Sequence, residues 1–283
     1  MSWQVLIGIS VFLFSLNGLF HRVLMKDEKS DPYAQTFAFY GLGGLFTFII
    51  TLFCGGFHYQ MSLPQVPLFL LIAVFGTVAP VLFFKAAKVL EASENSIIFS
   101  SQRLWLVFGA FIFLGEPFSI KKLIGTIIIM LGISIALWKK GKFVINGAFF
   151  FLIIAAMCYA ITDVISFYIL RNFDALSFNV YFAICTLVPL LIVKPGLLQK
   201  LRFYFKPAYA LNILIVSIND TTATLLLFFA YQVGRNASQI SPLMATNTII
   251  TVLLGILILK ETSNMRNKII GAMTVVLGVL LVI

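Results

Sequence analysis

Charged residues are scarce in this sequence, because Asp, Glu, Lys and Arg together make up only 11% of its 283 residues. Soluble domains are about a quarter charged and about half apolar, whereas 61% of this chain is hydrophobic and its mean hydropathy is +1.05. We therefore expect lipid to surround most of the chain. Only helices and closed barrels satisfy their backbone hydrogen bonds in lipid. The strict alternation of barrel strands is absent, so the sequence predicts an all-α polytopic membrane protein.

Several motifs that would indicate other functions are also missing. The three cysteines (Cys54, Cys158 and Cys185) form no Cys-x-x-Cys pair, so we interpret them as packing residues and predict no metal site. No Gly-x-x-x-x-Gly-Lys loop and no clustered carboxylate or His motif occurs, so we predict no cofactor and no enzyme. The net charge is +10, but the basic residues lie between apolar runs without interleaved aromatics. They therefore favour contact with lipid headgroups over nucleic acid.

Apolar runs close to 20 residues long recur along the whole chain, and this is the length that crosses a bilayer core of about 30 Å. We expect residues 1–20 to be retained as the first span, because no basic segment or cleavage signal accompanies them. The predicted spans are Trp3–Phe20, Ala34–Phe53, Val66–Phe84, Asn95–Leu114, Leu123–Trp138, Val144–Leu170, Leu176–Val193, Ala208–Tyr231, Ile240–Leu259 and Lys268–Ile283.

The chain contains an internal repeat. A shift of 145 positions places Ala92-Ser93 on Ala237-Ser238 and Glu116 on Glu261; with one residue then inserted, Gly125 falls on Gly271 and Gly132 on Gly278. We therefore divide the chain into a first repeat, residues 1–142, and a second, residues 143–283. Five spans per repeat is an odd number, so the second repeat enters the bilayer from the opposite side. The expected architecture is ten transmembrane helices in two inverted five-helix repeats, a construction that recurs in secondary transporters.

This pattern resembles a known family. A polar start, a span, the turn Gly115-Glu116 and a span with Gly125 and Gly132 resemble the EamA-type repeat of the drug/metabolite transporter superfamily. The resemblance covers nearly the whole chain, and implies ten helices around a central cavity and transport of small metabolites. Two positions depart from the family pattern: Lys260 stands where Gly is usual, and Arg103 where Pro is common. These departures leave the substrate open.

Two arguments about orientation disagree. Of the twenty Lys and Arg residues, four lie in even-numbered loops (Lys121, Lys122, Arg171 and Arg235) and Arg103 lies within a span, so the other fifteen lie in odd-numbered loops. The positive-inside rule then places the odd loops in the cytoplasm and both termini outside. The family resemblance implies cytoplasmic termini instead. In either orientation we expect a multi-pass protein of the plasma (inner) membrane of a prokaryote.

Three ionisable residues, Arg103, Asp163 and Asp220, lie well within predicted spans. Such a residue is unfavourable by roughly 2.5–3.5 kcal/mol at the bilayer centre, so it faces protein or a water-filled cavity. Helical spacing extends each into a polar stripe and adds further stripes on the first and ninth spans. The predicted cavity residues are Arg103, Asp220, Asp163, Asn247, Ser100, Tyr159, Thr224 and Asn17.

The charges of these residues indicate a chemistry. Two carboxylates against one guanidinium leave one carboxylate without a cation, and Asp163 or Asp220 could then exchange a proton during transport. Alternatively, that carboxylate could bind the amino group of a zwitterion whose carboxylate is held by Arg103. The favoured interpretation is a secondary transporter of a small polar, amino-acid-like metabolite that works by alternating access, with proton coupling as an option. A flippase of lipid-linked precursors, a non-transporting sensor or scaffold, and a purely structural Arg103–Asp pair are the alternatives.

Residues outside the predicted cavity receive structural roles. Gly125 and Gly132, like Gly271 and Gly278, are seven residues apart and share a helix face, so we interpret the fifth and tenth spans as scaffold or as contacts of a homodimer. We expect Glu116 and Glu261 to pair with nearby lysines in their turns. His21 lies near a predicted span end, where we expect an interfacial side chain.

Overall fold

The computed structural model describes residues 2–54, 56–57, 62–114, 120–139, 142–143, 145–234, 240, 243–244, 246–261 and 263–282. The helices are α1 Trp3–Met25, α2 Pro32–Phe53, α3 Val66–Ala87, α4 Ala92–Phe99, α5 Gln102–Leu114, α6 Ile120–Leu137, α7 Gly147–Ile169, α8 Ala175–Val193, α9 Leu197–Leu201, α10 Pro207–Gly234, α11 Asn247–Ile258 and α12 Met265–Val282. A 3₁₀ turn, Leu63–Gln65, precedes α3. The strands β1 Trp138–Lys139 and β2 Lys142–Phe143 form a two-residue antiparallel ladder.

The apolar composition of these helices confirms a multi-span, all-helical architecture. Within the described ranges, six helices are long and apolar enough to cross a membrane: Trp3–Met25, Pro32–Phe53, Leu63–Ala87, Gly147–Ile169, Ala175–Val193 and Tyr209–Gly234. Two shorter apolar helical stretches are Ile127–Ala136 and Asn247–Ile258. Side-chain caps begin three of the long helices: Asp31 starts α2, Asn146 starts α7 and Asp174 starts α8, each accepting hydrogen bonds from backbone N–H groups of the first turn.

The predicted fourth span, Asn95–Leu114, is wrong as a continuous helix. It breaks at Ser100 and Ser101 into α4 and α5, where the bonds from Ser101 N to Ile98 O and from Arg103 N to Ser100 O, both 3.1 Å, reach back three residues instead of four. The Ser100 hydroxyl donates to the carbonyl of Ile97 at 2.5 Å. Serine side chains that bond local carbonyls in this way compete with regular helix geometry.

The same repeat position begins a helix in the second repeat. α11 starts at Asn247, directly after the turn residue Thr246, and these residues stand 145 positions after Gln102 and Ser101. The predicted ninth span, Ile240–Leu259, includes residues 241–242 and 245, which lie outside the described residues. Gln102 and Asn247 therefore occupy equivalent positions, each at the first residue of a helix.

The two repeats pack against each other symmetrically. α1 packs on α10 and α3 on α7, so the first and third spans of one repeat contact the third and first spans of the other. α2 packs on α8 and α6 on α12, which pairs equivalent spans directly. α5, the fourth-span helix of the first repeat, packs on α7, the first span of the second repeat. In the same way, α11 of the second repeat packs on α1 of the first. This exchange of partners is the pattern that a two-fold relation between the repeats produces.

The odd-numbered loops lie on one face of the bundle. Lys88 joins the third loop to the first by donating to the carbonyls of Glu28 and Ser30 at 2.9 and 2.7 Å, and Lys200 of the seventh loop bonds Asp31 at 2.5 Å. Lys268 pairs with Glu91, which joins the start of α12 to the third loop. Asn264 of the ninth loop donates to the carbonyl of Trp138 at 2.7 Å, at the start of the fifth. The described basic residues assigned to odd loops thus share one end of the protein, which is called the loop face below.

The glycine faces of α6 and α12 are turned toward each other. A Cβ added at Gly132 would lie 2.7 Å from the backbone nitrogen of Val275 and 2.8 Å from the carbonyl oxygen of Gly271. A Cβ at Gly278 would lie 2.8 Å from the carbonyl oxygen of Gly125. The two helices therefore touch through their backbones within one chain. A homodimer through these spans stays a prediction, and these two faces are already covered by one another.

Candidate functional site

A cavity of about 220 Å³ lies where the two repeats meet. Helices of both repeats line it: α1 to α5 from the first, and α7, α8, α10 and α11 from the second. Seven of the eight residues predicted for the cavity line it, namely Arg103, Asp220, Asp163, Asn247, Tyr159, Thr224 and Asn17. That these residues bind a substrate stays a prediction.

Arg103 is the cation of the cavity wall. It lies in the first turn of α5, directly after the break, so its side chain is placed where the helix path changes. No described carboxylate comes within 4.0 Å of its nitrogens, and it forms no hydrogen bond with any described residue. Asp163, and to a smaller extent the Tyr231 phenol, are close enough to act on it electrostatically. The guanidinium thus keeps its donors available to the cavity.

Asp163 reaches the cavity from α7, in the other repeat. One of its carboxylate oxygens, Oδ2, accepts a hydrogen bond of 2.6 Å from the side-chain amide of Gln102. Gln102 precedes Arg103 at the start of α5, so the break places an amide donor and a cation side by side against this carboxylate. Asp163 and Arg103 therefore form one electrostatic unit that joins the two repeats.

Asp220 stands apart from that unit, on α10. Its Oδ1 accepts a hydrogen bond of 2.7 Å from the amide of Asn17, and the oxygen of Asn17 accepts one of 2.7 Å from Asn219. Asn219 also donates to the backbone carbonyl of Leu13 at 2.9 Å, which anchors the chain of amides to α1. Its polar neighbours in the described part of the chain are thus neutral, and no described cation contacts it.

Two tyrosines join the polar wall. The hydroxyls of Tyr159 on α7 and Tyr40 on α2 are 3.3 Å apart, and both side chains line the cavity. Thr224 lines it one turn after Asp220, and Asn247 lines it from the start of α11. Apolar rings complete the wall: Phe14, Phe39, Phe83, Phe84, Phe99, Phe182 and Phe228.

Among the polar residues of this wall that sequence reasoning missed are Gln102, Tyr40, Asn95 and Asn179. Gln102 had a detectable signal, because it is the repeat equivalent of Asn247, which was predicted. The other three are uncharged polar side chains in apolar helices, and such residues are common at helix contacts in membranes.

Ser100 and His21 differ from expectation. Ser100 does not line the cavity, because the break turns its hydroxyl onto the carbonyl of Ile97. His21 is buried, and not interfacial, because α1 continues to Met25 and carries His21 between the rings of Phe39 and Phe84, each with its centroid 4.9 Å away.

Glu261 also differs, because it pairs with no lysine among the described residues. It is buried and accepts hydrogen bonds from Ala92 N, Ser93 N and the Ser93 hydroxyl at 2.7, 3.0 and 2.5 Å, which caps the N-terminus of α4. Its repeat equivalent, Glu116, lies outside the described residues. The described ranges contain no group of three His, Cys, Asp or Glu side chains that could hold a metal ion.

Comparisons with known proteins agree with this arrangement of repeats. A family model, EamA-like transporter family, matches residues 1–138 and again residues 146–283. No curated protein matches the chain. A solved structure described only as "Crystal structure of protein" matches with a TM-score of 0.65 and 16% sequence identity, and covers 99% of this chain and 95% of that one. At this identity the likeness shows the fold alone. The family model, which covers both halves, shows more: the chain belongs to the EamA-like transporter family.

Proposed function

We propose that this integral membrane transporter is a secondary carrier of a small amino-acid-like metabolite in the plasma (inner) membrane of a prokaryote. Membership of the family makes it a multi-pass membrane transporter of the drug/metabolite type. The substrate class rests on one observation, the separation of opposite charges in one cavity. Arg103 has donors free of any described partner, and Asp220 is bonded only to the neutral amide of Asn17.

A zwitterion satisfies both groups at once. The planar guanidinium of Arg103 holds a carboxylate by two parallel hydrogen bonds. The free oxygen of Asp220 then accepts from the substrate's ammonium group. Asp163, which is on the opposite repeat and is bonded to Gln102, attracts the guanidinium and keeps it in place. A cavity of about 220 Å³ favours a small metabolite, since pockets for drug-sized ligands are about 300–1,000 Å³.

The exchange of contacts between repeats supports alternating access. We propose ten spans, in which α4 and α5 form the fourth and α11 belongs to the ninth. With five spans in each repeat, the two-fold axis lies in the membrane plane and the repeats are inverted. The charges sit on both sides of the repeat interface, with Arg103 on the first repeat and both aspartates on the second. A movement of one repeat against the other therefore changes the distance between the groups that hold the substrate.

Ligand-induced thermal stabilisation of the purified protein tests the substrate class, because a ligand that binds only the folded state raises its apparent stability. We expect stabilisation by a compound that carries both an amino and a carboxylate group. Arg103→Gln should weaken this binding at least about tenfold, because hydrogen bonds to charged groups contribute about 1.5–3 kcal/mol each. Arg171→Gln, which changes an exposed arginine outside the cavity, is the matched control. Equal binding by Arg103→Gln and wild type would contradict the assignment.

Transport by the same proteins in proteoliposomes tests proton coupling. If a carboxylate of the cavity carries the proton, Asp220→Asn or Asp163→Asn flattens the pH dependence of uptake. Asn keeps the size of the side chain and an oxygen that can accept from Asn17 or Gln102, so the fold should tolerate the change. Unaltered pH dependence in both variants would show that neither aspartate is the coupling group.

A further inference from the structure

Two lysines converge on one aromatic ring, away from the cavity. The ammonium nitrogen of Lys85 lies 5.2 Å from the ring centroid of Tyr33, and that of Lys194 lies 5.1 Å from the same centroid. Lys85 also donates to the Tyr33 hydroxyl at 3.4 Å and lies 5.6 Å from the ring centroid of Phe151. One cation over an aromatic ring is a common contact, but two cations at one ring repel each other.

The three residues meet at the loop-face ends of their helices. Tyr33 is in the first turn of α2, Lys85 is in the last turn of α3, and Lys194 directly follows α8. Apolar side chains are exposed beside them: Val193, 66% exposed, precedes Lys194, and Phe151, 39% exposed, lies beside Lys85. Exposed apolar side chains next to cations and a tyrosine are typical of the level at which acyl chains give way to headgroups.

No acidic side chain in the described ranges balances this pair of charges. In the ranges that the structure describes, neither Lys85 nor Lys194 forms a salt bridge. Asp31, near Tyr33 in sequence, is engaged by Lys200 and by the backbone N–H groups of Tyr33 and Ala34. The attraction of each ammonium to the ring does not remove their mutual repulsion, which an anion bound by both lysines would offset.

We propose that Lys85, Lys194 and Tyr33 form a binding site for the phosphate of an anionic phospholipid. A phosphodiester shares one negative charge between two non-bridging oxygens. These can accept from both ammonium groups after rotation of the flexible lysine side chains, while the Tyr33 hydroxyl donates to an ester oxygen. The acyl chains then lie along Phe151 and Val193. A soluble phosphate lacks that apolar contact. Basic pockets between helices at this level recognise anionic headgroups in this way. The site is separate from the cavity and does not depend on the proposed substrate.

Thermal unfolding in lipid nanodiscs tests the proposal, in discs of phosphatidylcholine with and without phosphatidylglycerol. We expect phosphatidylglycerol to raise the melting temperature of wild type. Lys85→Gln/Lys194→Gln should lose most of that shift. Lys26→Gln/Arg202→Gln, which removes two exposed charges from the same face, is the matched control and should keep it. Lys85→Arg/Lys194→Arg retains both charges and should also keep it.

Four results would overturn the site. The first is no effect of phosphatidylglycerol on wild type, and the second is a full shift in the Lys→Gln double variant. The third is an equal loss of the shift in the control variant, which would show that the whole face attracts anionic lipid diffusely. The fourth is an equal stabilisation of wild type by glycerol 3-phosphate in phosphatidylcholine discs, because the ligand would then be a soluble phosphate. If the Lys→Gln variant does not fold, Tyr33→Phe removes only the hydroxyl, and a full shift in that variant together with a lost shift in Lys85→Arg/Lys194→Arg would contradict the proposed donors.

Discussion

The cavity and the contact between α6 and α12 are both interfaces between the two repeats, but they are built from opposite kinds of residue. At the α6–α12 contact, glycines let two backbones touch and leave no room for even a methyl group. Around the cavity, polar groups remain partly unused: among the described residues, neither the Arg103 guanidinium nor the buried atoms His21 Nδ1 and Asn95 Oδ1 have a hydrogen-bond partner.

We infer from this difference that the α6–α12 contact contributes mainly to stability and the cavity mainly to function. Close backbone contact in lipid gains packing energy in one arrangement only, because a shift of either helix brings atoms into collision. Unused donors and acceptors in a cavity are unfavourable until a ligand or water reaches them. We therefore expect the α6–α12 contact to hold the repeats together, while the cavity is the region that changes as substrate binds and leaves.

The largest effect is expected from filling the α6–α12 contact. Gly132→Ala places a Cβ 2.7 Å from the backbone nitrogen of Val275, and neither backbone can yield cheaply, so we expect a loss of about 3 kcal/mol in unfolding free energy. Gly8→Ala is the control, because its added Cβ meets nothing within 4 Å. Unfolding in mixed micelles measures both. Equal stability of the two variants would show that the contact is looser than the structure has it.

An intermediate effect is expected where the two regions connect. Glu261, in the turn before α12, caps α4, and α4 lines the cavity with Ala92 and Asn95. Glu261→Ala leaves buried N–H groups of α4 without acceptors, so we expect a loss of about 2 kcal/mol in stability together with weaker ligand binding. Glu28→Ala, which changes an exposed carboxylate on the same face, should alter neither. Lower stability with unchanged binding would show that the capping of α4 does not affect ligand binding in the cavity.

The sequence predicted the general form of both regions. Arg103, Asp163 and Asp220 could be identified because a charged side chain in an apolar span must face protein or a water-filled cavity. The pairs Gly125–Gly132 and Gly271–Gly278 could be identified because glycines seven residues apart share one helix face and allow close helix contact. That these faces would meet each other within one chain was not predicted. Residue spacing identifies a helix face but does not identify the helix that packs against it.

Other features depended on local geometry that composition does not reveal. The break at Ser100 and Ser101 contains neither Pro nor Gly, so no helix-stop signal marked it. Gln102 becomes a partner of Asp163 only because the break turns it toward α7. His21 was misplaced because α1 runs five residues beyond the predicted end at Phe20. Glu261 was misassigned because the donors it accepts from are backbone N–H groups of a helix far away in sequence.

The smallest effect is expected from an ion pair that belongs to neither region, and it provides the baseline for the comparison. Burial by itself would raise the pKa of Asp31, but hydrogen bonds from Lys200 and from the amides of Ala34 and Tyr33 outweigh it and lower that pKa below its usual value. A carboxyl whose pKa is lower in the folded state stabilises the fold above its unfolded pKa, about 3.9, and this contribution is lost as the pH falls.

Asp31→Asn removes the charge and keeps an oxygen that can cap α2. Since Lys200 is half exposed, the pair should contribute about 1 kcal/mol or less at pH 7. The melting temperatures of wild type and variant should therefore differ slightly at pH 7 and begin to converge only as the pH falls below about 3.9, with ligand binding at pH 7 unchanged in the variant. A constant difference across this pH range would mean that the cap, and not the ion pair, carries the effect. A change in binding would show that the loop face is coupled to the cavity, and the separation between the two regions would then be incomplete.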